Sequence, residues 1–365
     1  MRGTFVLVAL TLAVASTAAA QGWNSEFGIQ SGFTRIKPAG TGTSDQLDLF
    51  GVPGFSLPGV IPANASLFAI IPWKNKLAVE TSVSVLQGNA IFIIGDATFF
   101  NLGLRGNYAI TPKFYAAAGG AVHWVENAGQ SETQLGVQGA VGYRFGFVAG
   151  LRGRVEASAT FLGKSDLLPP ANAYALLFGV SKQTGTRGRA ATQPRRSNRA
   201  WEPAFGVQGG YTRSHLVGGG DLTALSFPGF GGAANTFGVP AGPPTLFALF
   251  PIGRKFALEP GIDLTRVQTQ GNTVFAGNLS VRVDYAVRGG WYAAVGGNVI
   301  YVKATGADGE TVTGANVGWG YRFPLTGSLG GRVELDYRMI GRNTSVPLTP
   351  VNTLGLQFGV TLPVR

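Results

Sequence analysis

The sequence predicts an all-β protein, a transmembrane antiparallel up-and-down β-barrel arranged as two tandem eight-stranded units. One observation is alternation: in "NLSVRVDYAV" (278–287) every second residue is apolar, which is typical of a strand between two different environments. A second is internal duplication. A third is composition: charged residues make up only 13% of the chain, yet no run after residue 20 reaches the length of a membrane helix.

The first 20 residues, "MRGTFVLVALTLAVASTAAA", have the features of a secretory signal peptide. Arg2 supplies a positive start, residues 5–15 form a short apolar run, and residues 18–20 are small enough for cleavage. We therefore expect residues 1–20 to be removed and the remaining chain to leave the cytoplasm. The chain contains no cysteine, so neither a disulfide framework nor a thiolate metal site is expected.

The duplication covers a whole domain-sized unit. "FGIQSGFTR" (27–35) returns as "FGVQGGYTR" (205–213), and "FYAAAGGAVHWV" (114–125) returns as "WYAAVGGNVIYV" (291–302), at an offset between 177 and 180 residues. That period is far longer than the ~20–50 residues of solenoid or propeller repeats. We divide the mature chain into a first unit (21–181), a basic polar linker (182–200) and a second unit (201–365).

Each unit contains eight alternating segments. In the first unit they lie near 24–36, 65–72, 76–87, 97–110, 114–126, 133–145, 150–162 and 171–182. In the second unit they lie near 203–213, 245–251, 255–266, 273–287, 291–303, 311–323, 328–340 and 351–362. The connections alternate between tight turns such as "TPK" and longer loops such as "ENAGQSE", which is typical of transmembrane barrels.

The two faces of these segments differ in composition. One face is continuously apolar and carries aromatic residues, while the other mixes Gly, Ala and Ser with Arg, Glu, Asp and Gln. A soluble sandwich or lipocalin would bury the apolar face instead. The signal sequence, the low charge and the rarity of Lys within the segments favour lipid outside and a polar lumen inside. Small residues on the inner face leave room for a few long charged side chains.

Charged residues recur on the inner face of both units, as in "GYRF" followed by "GRVE". Unpaired buried charge is costly, so charges in a closed lumen should pair. We predict one ion-pair network in each unit. Its members are Glu80, Arg105, Arg144, Arg154 and Glu156 in the first unit, and Glu259, Arg282, Asp284, Arg322, Arg332, Glu334 and Asp336 in the second.

The eight-segment unit, its alternating connections and its "GYRF…GRVE" inner face resemble the bacterial outer-membrane β-barrel domain family, in particular the small OmpA- and OmpX-like barrels. The resemblance covers both units, although such barrels usually end on an aromatic residue and this chain ends "TLPVR". It implies a place in the bacterial outer membrane. It also implies outer-membrane lipid and the outer-membrane assembly machinery as partners.

Two arrangements of the units remain open. Two separate eight-stranded barrels agree with a full set of segments in each unit and with inner faces crowded by Gly and charge. The alternative is one sixteen-stranded barrel, which would enclose an aqueous channel. Water would then hydrate the excess of lumen Arg, and the channel would prefer anions.

The sequence contains no recognisable catalytic, cofactor or metal site, and we expect no enzyme. His123 and His215 are too few for an ordinary histidine metal site. The adjacent Ser214 and His215 are the one hint of a membrane-embedded lipid-modifying enzyme, but we place them in a loop and expect a chance pairing. The Arg residues divide between lumen and linker, so no nucleic-acid partner is expected. The linker is a candidate contact for an anionic partner in the envelope.

The favoured function is a structural or surface-interaction role in the outer membrane. The alternatives are a passive, weakly anion-preferring pore and, third, a lipid-modifying enzyme. The long first loops of the two units, 38–66 and 217–244, are unusually apolar for exposed segments. Such loops can fold over the barrel mouth, pack on the outer leaflet, or bind a ligand or partner. Of these we expect self-packing over the rim.

Overall fold

The structure is a computed structural model. It describes residues 23–39, 44–49, 66–88, 97–127, 130–146, 151–165, 170–183, 200–216, 221–227, 246–269, 272–325, 329–341 and 351–364. The predicted signal peptide, most of the linker and much of the two long loops lie outside the described residues. A search of the described residues finds no helix with the length and hydropathy that a membrane crossing requires.

The described chain forms antiparallel strands throughout. Those of the first unit are β1 (Glu26–Pro38), β2 (Ser44–Leu49), β3 (Ser66–Lys74), β4 (Leu77–Gly88), β5 (Ala97–Ala109), β6 (Phe114–Asn127), β7 (Gln130–Gly146), β8 (Leu151–Leu162) and β9 (Ala171–Gln183). Those of the second unit are β10 (Ala204–Leu216), β11 (Asp221–Phe227), β12 (Leu246–Ile252), β13 (Phe256–Thr269), β14 (Asn272–Arg288), β15 (Trp291–Ala304), β16 (Glu310–Pro324), β17 (Gly330–Ile340) and β18 (Val351–Pro363).

Each unit closes into an eight-stranded barrel, as predicted. In the first barrel, β3 to β9 pair in chain order and β1 completes the ring between β9 and β3. In the second, β12 to β18 pair in order and β10 completes the ring between β18 and β12. The sequence-based prediction of an all-β, two-barrel fold is therefore confirmed.

One rim carries the short turns, and we call it the lower rim; the opposite rim is the upper rim. The turn between β14 and β15 is made by Gly289 and Gly290, with φ of 59° and 94°. These are left-handed conformations that residues with a Cβ adopt only under strain. Gly253, in the turn between β12 and β13, has φ of 68°. Tight turns at one rim and longer connections at the other follow the pattern of membrane barrels.

The sequence analysis did not predict β2 and β11, which come from the long first loops. β2 pairs with residues 32–36 of β1 on one edge and with residues 264–268 of β13, in the second barrel, on the other. β11 pairs reciprocally with residues 210–215 of β10 and with residues 85–88 of β4. The expectation that each loop packs only over its own rim is wrong for these described segments.

The physical reason lies in the short strands β3 and β12. β3 begins at Ser66, opposite Gln30, so residues 32–36 of β1 have no neighbour from β3. Open strand edges leave backbone N–H and C=O groups unpaired, which is unfavourable in an apolar medium. β2 and β11, called here the exchanged strands, supply the missing partners for the open edges of both barrels.

The exchange changes the topology along the height of the molecule. Below, β3 and β12 close two separate eight-stranded rings. Above, the pairings continue through β2 and β11 into a single ring. Its sixteen members, in order, are β1, β2, β13, β14, β15, β16, β17, β18, β10, β11, β4, β5, β6, β7, β8 and β9. The two barrels therefore share one continuous sheet.

An apolar seam joins the lower halves of the barrels. Residues 26–32 of β1 are buried on both faces, whereas the later residues of that strand alternate between buried and exposed. Phe27, Leu67, Val207 and Leu362 belong to one buried cluster that draws on both units. The outer face of each barrel is thus covered by the other barrel along this seam.

Elsewhere the outer faces expose large apolar side chains. Leu104 and Val295 are 58% and 59% exposed, which is incompatible with a large water-facing sheet. Aromatic pairs lie at the lower end, such as Trp291 and Tyr321, whose ring centroids are 5.0 Å apart. A closed antiparallel barrel with an outward apolar band and aromatic residues at its edges is the architecture of bacterial outer-membrane proteins.

Candidate functional site

The lumen of the first barrel is crossed at mid-height by four charged side chains: Glu80, Arg105, Arg154 and Glu156, called here the first Arg–Glu cluster. The Nη1 of Arg105 donates to Oε1 of Glu156 at 2.7 Å, and its Nη2 donates to Oε1 of Glu80 at 2.8 Å. Arg154 donates to both oxygens of Glu80 at 2.9 Å. All four side chains are buried, so the cluster is an internal crosslink between strands.

Strand register explains why these residues meet. Glu80 on β4 stands directly opposite Arg105 on β5, and Arg154 and Glu156 lie two residues apart on the same face of β8. A small residue makes room for the long side chains: a Cβ added at Gly179 would lie 2.9 Å from Cγ of Arg154. The alternation of charge with glycine is therefore a packing requirement of a narrow lumen.

Four uncharged residues complete the first cluster, and the sequence analysis missed them. Asn107 donates to Oε2 of Glu80 at 2.8 Å, and the hydroxyl of Tyr115 donates to Oε2 of Glu156 at 2.6 Å. Arg154 also donates to Gln30, and its guanidinium lies 3.6 Å from the ring centroid of Phe68. Three of the four, the Gln and the two aromatic residues, are preserved in the second copy, which is the signal that could have identified them; Asn107 is not preserved.

The second barrel repeats the arrangement with Glu259, Arg282, Arg332 and Glu334, the second Arg–Glu cluster. Arg282 donates through both terminal nitrogens to Glu334, with 2.7 Å between Nη2 and Oε2. Arg332 donates to both oxygens of Glu259, with 3.1 Å between Nη2 and Oε1. Tyr292 donates its hydroxyl to Glu334 at 2.6 Å.

The remaining contacts of the second cluster also match those of the first. Arg332 donates to Gln208, the counterpart of Gln30. Its guanidinium lies 3.6 Å from the ring centroid of Phe247, as that of Arg154 does from Phe68. The duplication has thus preserved the Gln and aromatic partners together with the four charged residues.

The two clusters differ in one charge. The position of Asn107 is taken in the second barrel by Asp284, whose Oδ1 lies 3.3 Å from Nε of Arg282. The second cluster therefore holds three carboxylates against two guanidinium groups, whereas the first holds two of each. The other acidic residue predicted for this lumen, Asp336, accepts a hydrogen bond from Arg338, a partner that the sequence analysis did not name.

Arg144 and Arg322 do not belong to the Arg–Glu clusters, and the prediction that placed them there is corrected. The guanidinium of Arg144 lies 3.8 Å from the ring centroid of Trp23, and that of Arg322 lies 3.6 Å from Trp201. Arg144 stands opposite Arg154 in the β7–β8 ladder. Because like charges directly opposite each other repel, stacking on the Trp ring at the lower end is the more favourable place.

The two Trp residues form a lower layer of each lumen. Trp23 and Trp201 are buried, and their indole N–H groups donate to the backbone oxygens of Lys76 and Lys255 at 3.0 and 2.9 Å. Stacking of a cation on a Trp face is favourable, particularly away from water. Each lumen therefore has an aromatic–Arg layer at its lower end and an Arg–Glu cluster above it.

The one candidate catalytic pair is separated by the fold. Ser214 and His215 lie in β10, not in a loop as expected, and they point to opposite faces because they are neighbours in a strand. Ser214 is buried and shares a hydrogen bond of 2.9 Å with Thr353. Among the residues that the structure describes, no group of three or more acidic, His or Cys side chains is placed to hold a metal ion.

The comparisons with known proteins identify no family. No protein-family model matches the chain, and no curated protein matches its sequence. Several solved structures are similar at low identity. Ail, the attachment invasion locus protein of Yersinia pestis, is 15% identical with a TM-score of 0.27, covering 44% of this chain and 97% of its own.

Two further structures extend over both units. A bacterial polysaccharide outer membrane secretin is 8% identical with a TM-score of 0.32, covering 94% of this chain and 99% of its own. OmpT, an outer membrane protein of Vibrio cholerae, is 11% identical with a TM-score of 0.26, covering 92% of this chain and 97% of its own. At these values the similarities carry no information about function.

Proposed function

We propose that the protein is an integral outer-membrane barrel protein with a structural or surface-interaction role, and that neither of its lumina conducts. The observation that carries this proposal is the closure of each lumen by buried, mutually bonded Arg and Glu side chains. An eight-stranded barrel has an interior just wide enough for side chains to fill. With the Trp–Arg layer beneath each cluster, the path from rim to rim is blocked twice.

A surface role is supported by the exchanged strands at the upper rim. β2 and β11 arise from the two long first loops, and each of them bridges the barrels through backbone pairing. The bases of both loops are therefore fixed to one common sheet. Loops held on a rigid scaffold are the usual place for recognition. The eight-stranded unit resembles the small OmpA- and OmpX-like barrels, and we propose outer-membrane lipid and the outer-membrane assembly machinery as partners.

The alternative functions have less support. A pore through one sixteen-stranded barrel would need that ring along the whole height of the molecule. The sixteen-stranded ring forms only in the upper half. Below it lie two eight-stranded barrels, each with its own Arg–Glu cluster. A lipid-modifying enzyme would need a nucleophile beside its base, whereas Ser214 and His215 occupy opposite faces of β10. We therefore propose that the protein is not an enzyme.

Planar-bilayer recording of the purified, refolded protein tests the proposal. The wild type should produce no stable conductance steps at neutral pH. The variant Arg105→Ala/Glu156→Ala/Trp23→Ala/Arg144→Ala, which removes side chains from both layers of the first lumen, should conduct more than the wild type if it retains the heat-modifiable gel mobility of a folded barrel. Stable wild-type steps would overturn the proposal in favour of a pore.

A further inference from the structure

A polar cavity of about 110 Å³ lies in the lumen of the first barrel, above the first Arg–Glu cluster. Arg105 and Glu156 form part of its floor. Its walls carry hydroxyl and amide side chains from many strands, together with small apolar residues. The polar wall residues used below are Thr34, Ser84, Asn101, His123, Gln138, Ser158 and Thr160.

The second barrel has larger side chains at several of the equivalent positions. Offsets of 177 to 180 residues relate each wall residue to its counterpart. Four of the pairs that grow in size are Ser84 with Asp263, Ala121 with Asn298, Ser158 with Asp336, and Thr160 with Arg338. All four of the larger side chains are buried. At these four positions the wall of the first cavity therefore leaves more space than the equivalent wall in the second barrel.

The upper end of the lumen, called here the upper entrance, also differs between the two barrels. In the second barrel, Ile300, Val312, Ile340 and Val351 form an apolar cluster across the lumen. The counterparts of Ile300 and Val312 in the first barrel are His123 and Gln134. The first barrel therefore carries polar side chains on one side of the lumen where the second barrel is apolar.

Two buried polar atoms on the cavity wall lack a hydrogen-bond partner among the described residues: Oγ1 of Thr34 and Nε2 of His123. Both residues are more than nine-tenths buried. The other ring nitrogen of His123 is held 2.8 Å from Oδ1 of Asn101, which fixes the ring. Unpaired buried polar groups are unfavourable, so both atoms are placed to bond to something inside the cavity.

The charge of the cavity restricts the ligand class. Arg105 and Glu156 bond to each other at the floor, and the first cluster as a whole holds two Arg and two Glu. An anion would therefore meet no unengaged cation of the cluster, and a cation would meet no unengaged carboxylate. Hydroxyl groups donate and accept hydrogen bonds, so the Ser, Thr, Asn and Gln side chains suit a partner that does both.

From these observations we infer that the first barrel binds a small, uncharged polyhydroxy molecule in this cavity. The cavity is somewhat smaller than an engineered cavity of about 150 Å³ that binds benzene, so it has room for a molecule of about the size of a triol or tetritol. Thr34 and His123 bond to its hydroxyl groups. This inference is independent of the proposed surface role.

Saturation-transfer NMR with erythritol as the probe tests the inference on the full chain in detergent micelles. The wild type should transfer saturation to erythritol. The variant Ser158→Asp/Thr160→Arg installs the side chains that the second barrel carries at these positions, and it should reduce erythritol binding at least tenfold. His123→Ile, which copies the apolar entrance of the second barrel, should also weaken binding.

The duplication supplies a matched control. The reverse change in the second barrel, Asp336→Ser/Arg338→Thr, leaves the first cavity intact and should retain erythritol binding. Heat-modifiable gel mobility shows whether each variant has folded. Absence of saturation transfer in the wild type would mean that the cavity holds water only, and equal transfer in the filled variant would place binding elsewhere. Stronger transfer to lactate or tetramethylammonium than to erythritol would refute the uncharged class. Each of these three results overturns the inference.

Discussion

Removing one Glu from each Arg–Glu cluster should have unequal effects, although Glu156 and Glu334 occupy equivalent positions. Each accepts two hydrogen bonds from an Arg and one from a Tyr hydroxyl. The clusters differ in what remains afterwards. Glu156→Ala leaves two Arg and one Glu in the first lumen. Glu334→Ala leaves two Arg with Glu259 and Asp284, which keeps the formal charges equal.

The magnitudes follow from that difference. In the first barrel, Arg105 would keep only Glu80, which Arg154 already shares. Breaking a buried pair in this way destabilises by about 3–5 kcal/mol, because a buried charge loses its compensation. In the second barrel, Nε of Arg282 still lies 2.8 Å from Glu259 and 3.3 Å from Asp284.

The loss for Glu334→Ala is then mainly that of hydrogen bonds to a charged group, about 1–3 kcal/mol. We therefore expect Glu156→Ala to be the more destabilising change by about 2 kcal/mol, which is roughly a 30-fold difference in the unfolding equilibrium constant.

The assay is urea-induced unfolding of each refolded variant in lipid vesicles, followed by Trp fluorescence and by gel mobility. Glu202→Ala is the matched control, because Glu202 is exposed at the lower end of the second unit and its loss should change stability by less than about 0.5 kcal/mol. If Glu156→Ala behaves like Glu202→Ala, water hydrates the lumen and the charges are not closely paired. If Glu334→Ala proves the more harmful change, Asp284 does not compensate for the lost carboxylate.

Further substitutions test other parts of the lumen. Asp284→Asn should stabilise the protein by about 1–3 kcal/mol in the same urea titration, because an amide there can donate to Glu259 as Asn107 does to Glu80; an unchanged or lower midpoint would contradict this. Trp201→Ala should lower the thermal midpoint strongly, with a loss of about 3–5 kcal/mol for a large buried side chain. Trp73→Ala, at a position that is 67% exposed, should lower the midpoint far less. Equal shifts would show that the Trp–Arg layer is not packed. Arg332→Lys keeps the charge but loses both the stacking and the paired hydrogen bonds to Glu259. The temperature at which the gel mobility of this variant changes should therefore be lower than for the wild type. An unchanged temperature would contradict the paired and stacked arrangement of Arg332.

The repeated pattern of the sequence predicts most of the fold. Strict alternation located the eight barrel strands of each unit, and the offset between copies identified equivalent lumen positions. β2 and β11 were missed because "SDQLDL" and "DLTALSF" have no strong period of their own. They form strands because open edges of both barrels are available in space, which is a long-range property that local pattern does not encode.

The sequence predicted which charged residues face the lumen better than it predicted which residues they contact. Glu80, Arg105, Arg154 and Glu156 share an inner face by alternation alone, and the structure brings them into contact. Arg144 shares that face but lies against Trp23, because side-chain reach and like-charge repulsion decide its place. The pattern of charges was therefore insufficient to predict the contacts in the lumen, and the aromatic partners of the Arg residues could be identified only from the three-dimensional structure.

Disulfide trapping across the β2–β13 ladder tests most directly whether the two barrels share one sheet. The chain has no native cysteine, and residues 48 and 265 stand opposite each other in the register. Asp48→Cys/Thr265→Cys should form a disulfide on mild oxidation of the folded protein. After trypsin cleavage within residues 184–199, the two halves should then run as one band on a denaturing gel and separate on reduction.

The control pair Asp48→Cys/Arg266→Cys is offset by one residue, which turns the second side chain to the opposite face of the sheet. It should trap much more slowly than the facing pair. Rapid trapping of the facing pair alone is the result expected of two barrels joined by exchanged strands. Equal trapping of both pairs, or of neither, would contradict the shared sheet and indicate two barrels connected only through the linker.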